Sequence, residues 1–227
     1  MQLMRTPGAS STAWPLWARS VQLLLGLLLF GISLALLVRS RLGLDPWDVL
    51  HQGLSRQTNL TIGTWTILVG AVVLALWLPL RQRPGIGTVC NVVLVGVVLE
   101  ATLKVLPHPQ GLGVRGVFLV VGIMLNAVAT GAYVGAGLGP GPRDGLMVGL
   151  AARGHSIRVV RTAIEVSVLV VGVMLGGTVG IGTILFAASI GPLVHITIPL
   201  FSHGRMEGAT RQRAGVDETK EIGCVSD

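Results

Sequence analysis

Charge is what this sequence has least of. Asp, Glu, Lys and Arg together make 12% of its 227 residues, against about a quarter in a soluble globular domain. Such a chain cannot cover itself with a water-facing surface, which excludes a soluble domain. Aromatic residues are scarce as well, at 4%. The basic residues flank apolar runs singly or in pairs, so the net charge of +7 comes without the basic, aromatic-studded patch that a nucleic-acid partner needs. Cysteine is nearly absent. Cys90 sits inside an apolar run and Cys224 near the C-terminus, at depths too different to pair, and no zinc-ligand spacing exists. No Ser/His/Asp order, metal-binding cluster or cofactor motif is present, so the expectation is no enzyme, no catalytic residue, no metal and no cofactor. The G-x-G turns precede apolar runs and lack the strand and lysine of a phosphate cradle.

What fills the chain instead is Leu, Val, Ile, Gly and Ala: 51% is hydrophobic and the mean hydropathy is +0.74. Crossing the hydrocarbon takes about 20 helical residues. Six runs have that length, roughly 20–39, 62–80, 86–106, 115–136, 158–176 and 180–200. The first is too long for a signal h-region and lacks a small-x-small cleavage site, so it reads as a span. Trp14 and Trp17 precede it and Trp77 lies near the end of the second, where amphipathic rings favour the headgroups.

Two further segments, Pro46 to Gln57 and Pro142 to Arg153, are helical in pattern but too short and too charged to cross. Asp45 is the N-cap of the first, with Pro46 at its first position and Asp48 two residues on; Gly141, Pro142 and Asp144 take the same places in the second. Both read as half-helices, at the interface or re-entering the membrane where protein or a wet cavity surrounds the backbone. Twelve Lys and Arg residues on one side against five on the other (Arg39, Arg41, Arg56, Lys104, Arg115) place both termini in the cytoplasm.

The most informative feature is an internal repeat. Leu42-Gly43-Leu44-Asp45-Pro46-Trp47-Asp48 returns as Leu138-Gly139-Pro140-Gly141-Pro142-Arg143-Asp144 at an offset of 96, and Gly85-Ile86-Gly87-Thr88 returns as Gly180-Ile181-Gly182-Thr183 at an offset of 95. Each unit holds a span, a half-helix and two more spans. Three crossings per unit is an odd number, so the second half must run opposite to the first. That is an inverted-topology repeat, an arrangement of secondary transporters in which the interrupted helices mark the substrate site.

The stretch Leu42–Leu50, Gly63-Thr64-Trp65, the run 138–147, Arg158-Val159-Val160-Arg161-Thr162-Ala163-Ile164-Glu165 and both G-I-G-T turns are similar to the YczE/YyaS/YitT group of bacterial integral membrane proteins. The resemblance, nearest to its YczE-like members, runs from about residue 20 to 200 and implies a multi-pass bacterial plasma-membrane protein. It brings no activity with it.

Each polar candidate has two readings. Asp48 and Asp144 either face each other as a cation or proton site or cap their own helix starts. The half-helix N-termini, with Arg143 where the first repeat has Trp47, would suit an amphipathic anion such as a carboxylate with an apolar body. Glu165 lies inside a span, where charge is functional by default, but Arg161 four residues earlier offers it an internal ion pair. Glu100 and Lys104 read as a snorkelling pair, Asn126 and His195 as interhelical hydrogen-bonding groups or, less often, ligand contacts, and His51, one turn after Asp48, as a wetted histidine or a proton relay. Gly26, Gly122, Gly172 and Gly176 read as places where helices approach closely.

The expectation is therefore an all-α membrane domain over residues 20–201, with repeats at about 20–106 and 115–201. Six transmembrane helices and two half-helices compose it, between a cytoplasmic segment 1–19 and a cytoplasmic, disordered tail 202–227. Its function reads as transport of an unknown small molecule. Asp48, Arg143, Asp144, Glu165, Pro46 and Pro142 would form the site. The lipid bilayer is a partner, nucleic acid is not, and a Gly-lined exposed span allows a homodimer. The competing reading is a non-transporting accessory or scaffold protein held to a membrane complex through Arg205, Arg211 and Arg213. A channel is disfavoured, because no continuous polar face runs along any span.

Overall fold

The computed structural model describes residues 14–154 and 156–202. Among them the chain forms eight helices and no strand: α1 (Leu16–Ser40), α2 (Pro46–Gln57), α3 (Ile62–Ala75), α4 (Ile86–Val105), α5 (Leu112–Gly135), α6 (Pro142–Ala151), α7 (Ile157–Met174) and α8 (Ile181–Phe201). The residues Arg5, Arg205, Arg211, Arg213, Lys220 and Cys224 lie outside the described residues, as do 1–13 and 203–227 of the two terminal segments; Leu16–Arg19 of the expected N-terminal segment belong to α1.

Each expected segment is helical; α1 and α5 start a few residues earlier than expected, at Leu16 and Leu112, and three C-terminal ends fall short. α3 stops at Ala75 because Pro79 cannot continue it, and Leu76–Arg81 tighten into turns in which Trp77 N–H reaches Leu74 O and Leu78 N–H reaches Ala75 O. α6 ends at Ala151 in a similar turn closed by Gly154, whose φ is +99°. α7 stops at Met174, ahead of Gly176 at φ +91°. Four helices, α1, α4, α5 and α8, are long and apolar enough to cross a membrane, and α2 with α3, joined through a 118° bend, make a fifth candidate. α7 carries Arg158, Arg161 and Glu165 in its 18 residues. Large apolar side chains such as Leu25, Val97, Val120, Val170 and Ile196 are exposed, an arrangement that suits a lipid surrounding. The molecule is an all-helical, multi-pass membrane protein.

At its centre α1 runs antiparallel along α5. Gly26 lies against the backbone of Tyr133, where a Cβ would come within 2.7 Å of Tyr133 N, and Gly122 lies against Leu37, with a Cβ 2.9 Å from Cδ2. These are the same contact made twice, since Gly122 and Tyr133 each stand 96 residues after Gly26 and Leu37. The ends obey the same rule. Arg19 at the start of α1 donates to Ala136 O (2.8 Å) and Gly137 O (2.9 Å) at the end of α5; Arg115 at the start of α5 donates to Ser40 O and Arg41 O, both at 2.7 Å, at the end of α1. Each guanidinium satisfies carbonyls that a helix C-terminus leaves without partners. We expect Arg19→Ala and Arg115→Ala each to lower stability by about 1–3 kcal/mol, read as an earlier SDS-unfolding midpoint in mixed micelles; equal midpoints for wild type and variants would refute the capping role.

The two repeated motifs interlock across the halves. Gly182 N–H donates to Leu42 O (2.8 Å) and Gly87 N–H to Leu138 O (3.0 Å). Thr183 Oγ1 accepts from Leu44 N–H (3.1 Å), while Thr88 donates to Pro140 O (2.8 Å). Gly43 and Gly139, at φ +127° and +136°, are required here: a Cβ on either would lie 2.7 Å from the threonine hydroxyl of the other half. G-I-G-T is thus the clasp that holds the L-G turn of the opposite repeat.

Trp77 corrects the expectation of an interfacial ring. It is 2% exposed, donates Nε1–H to Pro142 O (3.0 Å) and lies directly against Gly145. Gly176 likewise does not serve helix approach; it has open space around its Cα and forms the turn after α7, while Gly172 meets the backbone of α2 at Leu50 N.

Candidate functional site

Bends at Leu42 and Leu138 precede α2 and α6, and the starts of the two helices meet, with Arg143 of α6 3.5 Å from Asp45 at the start of α2. Asp45 is the N-cap of α2 as its sequence position requires: its Oδ1 accepts from Asp48 N–H at 2.6 Å. α6 has glycine at that place and no side-chain cap.

Arg143 joins the two starts. Its guanidinium lies 3.5 Å from Asp45 Oδ2 and 3.8 Å from Asp48 Oδ1, and sits over the Trp47 ring at 5.0 Å from the centroid. The arginine of one repeat therefore stacks on the tryptophan that occupies its own place in the other. This changes the expectation of a free cationic subsite, because two carboxylates already surround that guanidinium.

Asp48 does not cap its own helix. It is completely buried and turns toward His51, whose Nδ1 lies 3.1 Å from Asp48 Oδ1 and 3.3 Å from Thr66 Oγ1. His51 is 1% exposed, which corrects the expectation of a wetted ring. Asp48 Oδ2 and His51 Nε2 are buried without a hydrogen-bond partner. Asp144 stands apart from this group. Its Oδ2 accepts from the Tyr133 hydroxyl at 3.1 Å, and it is in no ion pair with the described residues. Glu165 pairs with Arg161, Nε to Oε1 at 2.9 Å.

These groups border one cavity of about 370 Å³, to which all eight helices contribute. Asp45, Pro46, Trp47 and His51 face it from α2 and its cap, Pro142, Arg143 and Asp144 from α6, Arg161 and Glu165 from α7, and Phe30, Tyr133 and Phe186 supply aromatic wall. Asp48 lies behind that surface. Of the expected site residues the structure thus brings five to one cavity and the sixth directly beneath it. Asn126 makes the interhelical bond expected of it, Nδ2 to Ser33 Oγ at 3.0 Å, and also borders the cavity, as does the exposed His195. Glu100 and Lys104 form no ion pair. Among the described residues no group of three His, Cys, Asp or Glu side chains is placed to hold a metal.

Two members of the site escaped the sequence reading. Tyr133 is the only tyrosine in the chain and lies within an apolar run, a signal that was available. Asp45 was legible as a cap, but its second carboxylate oxygen, reaching Arg143 from the other repeat, depends on a juxtaposition of segments 98 residues apart.

The two halves differ at one seam. α3 packs on α4, with Gly63 against the backbone of Gly96, where a Cβ would lie 2.5 Å from Gly96 O. Gly191, the counterpart of Gly96 in α8, has nothing within 4 Å and borders the cavity, and Val166 of α7, the counterpart of Gly70, is exposed. α3 and α4 are shut where α7 and α8 stand apart.

Comparison with known proteins places the chain. A family of unknown function, DUF6198, matches residues 17–199. An uncharacterized protein of Haemophilus influenzae is 42% identical over 200 residues, 87% of this chain and 92% of the relative. The uncharacterized membrane protein YczE of Bacillus subtilis is 35% identical over 175 residues, 76% of this chain and 81% of the relative. The uncharacterized protein YyaS of the same organism is 27% identical over 183 residues, 78% of this chain and 90% of the relative. No solved structure matches. With a family match over most of its length and these relatives, the chain belongs to DUF6198, a YczE-like family of bacterial membrane proteins.

Proposed function

We propose that this protein is a small-molecule carrier of the bacterial plasma membrane, built as two inverted repeats of three spans and one re-entrant half-helix, with its site where α2 and α6 meet. The observation that carries the reading is the cavity at that junction: both repeats contribute equivalent elements to it, and the first turn of α2 is buried in protein, with Asp45 and Trp47 5% and 6% exposed. Non-helical backbone at membrane depth needs that burial. The antiparallel course of α1 along α5 and the exchanged clasps support the inversion, and helices broken at corresponding places support a site at the pseudo-two-fold axis. The seam between α7 and α8 gives the cavity a way in, and the shut seam between α3 and α4 is what the equivalent barrier looks like when closed. Exchanging the two states would be alternating access. Both termini would face the cytoplasm, by the distribution of Lys and Arg.

The test is thermal stability of the purified protein against a panel of metabolites, because a ligand of the folded state stabilises it by RT ln(1 + [L]/Kd). A compound that shifts the wild type and not Asp144→Asn, and that enters proteoliposomes, is the expected result. A second readout is the seam. With Cys90 and Cys224 replaced by Ser, a Val159→Cys/Gly191→Cys pair, which copies the Gly63 to Gly96 contact, is expected to cross-link in a fraction of molecules and to stop uptake. Absence of any hit, together with normal cellular function of Asp48→Asn and Asp144→Asn and loss of it on deleting residues 203–227, would refute the carrier and leave a scaffold.

A further inference from the structure

We infer that the ligand of this cavity is an organic cation, an ammonium or guanidinium group on an apolar body; the inference rests on reading the cavity as a carrier's site. Four carboxylates, Asp45, Asp48, Asp144 and Glu165, stand at or directly behind the wall against two guanidiniums, Arg143 and Arg161. Both guanidiniums are taken. Arg143 lies between Asp45 and Asp48 with its flat face on Trp47, and Arg161 is bonded to Glu165. That leaves Asp144, accessible from the cavity, with one hydrogen bond from the neutral Tyr133 hydroxyl and no cation. Among the described residues no cation forms an ion pair with it; Arg143 and Arg161 act on it electrostatically, but each is paired with another carboxylate, and a carboxylate at this wall favours a cationic ligand.

His51 adds an unused acceptor to the same group of residues. Asp48 only accepts hydrogen bonds, and the Thr66 hydroxyl spends its proton on Ile62 O at 2.9 Å. Nδ1, which lies within reach of both, must therefore be the protonated nitrogen of the neutral ring, and Nε2 must carry the lone pair. That lone pair is buried, without a partner, on a residue of the cavity wall. It would take a hydrogen-bond donor, and an ammonium or guanidinium group is one. Phe30 and Tyr133, paired edge to face at 5.7 Å, and Phe186 supply ring faces that attract a cation and apolar wall for its body. An anion would meet Asp144 at the wall and find the N–H groups of Arg143 already aimed at carboxylates. The volume lies within the range of small-molecule pockets.

The experiment compares three probes of one shape on the full-length protein in detergent: phenethylammonium, 3-phenylpropanoate and 3-phenylpropanol, each titrated by thermal shift. Expected is a concentration-dependent rise with the ammonium alone, an affinity at least tenfold weaker in Asp144→Asn, and recovery in Asp144→Glu, which keeps the charge. A shift with the carboxylate that Arg143→Gln abolishes, or equal shifts with the alcohol, overturns the cation while leaving a carrier site in place. No shift with any probe, together with an empty metabolite panel, overturns the carrier reading as well.

Discussion

Gly145→Val is expected to empty the membrane of folded protein, and adding Trp77→Gly to it is expected to bring part of that protein back. At Gly145 the indole of Trp77 lies where a side chain would begin: a Cβ there would overlap Cζ2 and Cη2 and come 2.8 Å from Cε2. The ring has nowhere to go, being buried in a cluster with Trp47, Val73 and Leu146 and fixed through Nε1 to Pro142 O. Overpacking of this kind costs about 1–3 kcal/mol where neighbours can yield, and more where they cannot. Trp77→Gly alone is expected to cost about 3–5 kcal/mol, and it also frees the Pro142 carbonyl. The rescue follows from the duplication. Position 145 corresponds to Val49 and position 77 to Gly172, and in that half the pair exists in the reverse sizes, with Gly172 against the backbone of Val49 and Leu50. The double variant copies that arrangement, so the two changes should couple favourably by about 0.5–3 kcal/mol. SDS unfolding in mixed micelles measures all three variants; strict additivity would mean that the two sites are not equivalent solutions of one packing problem.

That equivalence explains how much of the fold could be read without coordinates. The repeat offset fixes which residues correspond, and Arg19 with Arg115, Gly26 with Gly122 and Gly43 with Gly139 occupy matching places in matching contacts. Helix positions follow from apolar length, and the starts of α2 and α6 from Asp45-Pro46 and Gly141-Pro142. What the pattern could not carry is where the halves deviate from each other. Trp77 satisfies the rule for an interfacial ring, and only the glycine 68 residues later reveals a slot for it. His51 looks wetted because α2 is short and polar, yet the turn that starts α2 is buried, and a dry ring follows. Arg143 looks like a free cation until Asp45 and Asp48 are seen beside it. In each case the decisive neighbour belongs to the other repeat, or to a segment whose depth no local pattern reports.

The second large effect is expected at Asp48. Asp48→Leu removes a buried carboxylate that faces Arg143 and holds the His51 ring, leaving Arg143 with Asp45 and His51 Nδ1 with Thr66. Breaking a buried charged contact costs about 3–5 kcal/mol, here reduced because Asp45 still faces Arg143. Removing Arg143 and the Asp45 charge as well should return much of that loss, because an apolar group of similar volume is often as stable as the ions it replaces. Asp48→Leu with Arg143→Met and Asp45→Asn, which keeps a capping oxygen, is therefore expected to unfold later in SDS than Asp48→Leu alone. Asp48→Asn keeps the shape and one acceptor and is expected to stay at normal abundance. If the triple variant were no more stable than Asp48→Leu, Asp48 would be holding the fold chiefly through His51. If it recovers but carries nothing across the membrane, the charges under the cavity wall exist for transport, and the fold merely tolerates them.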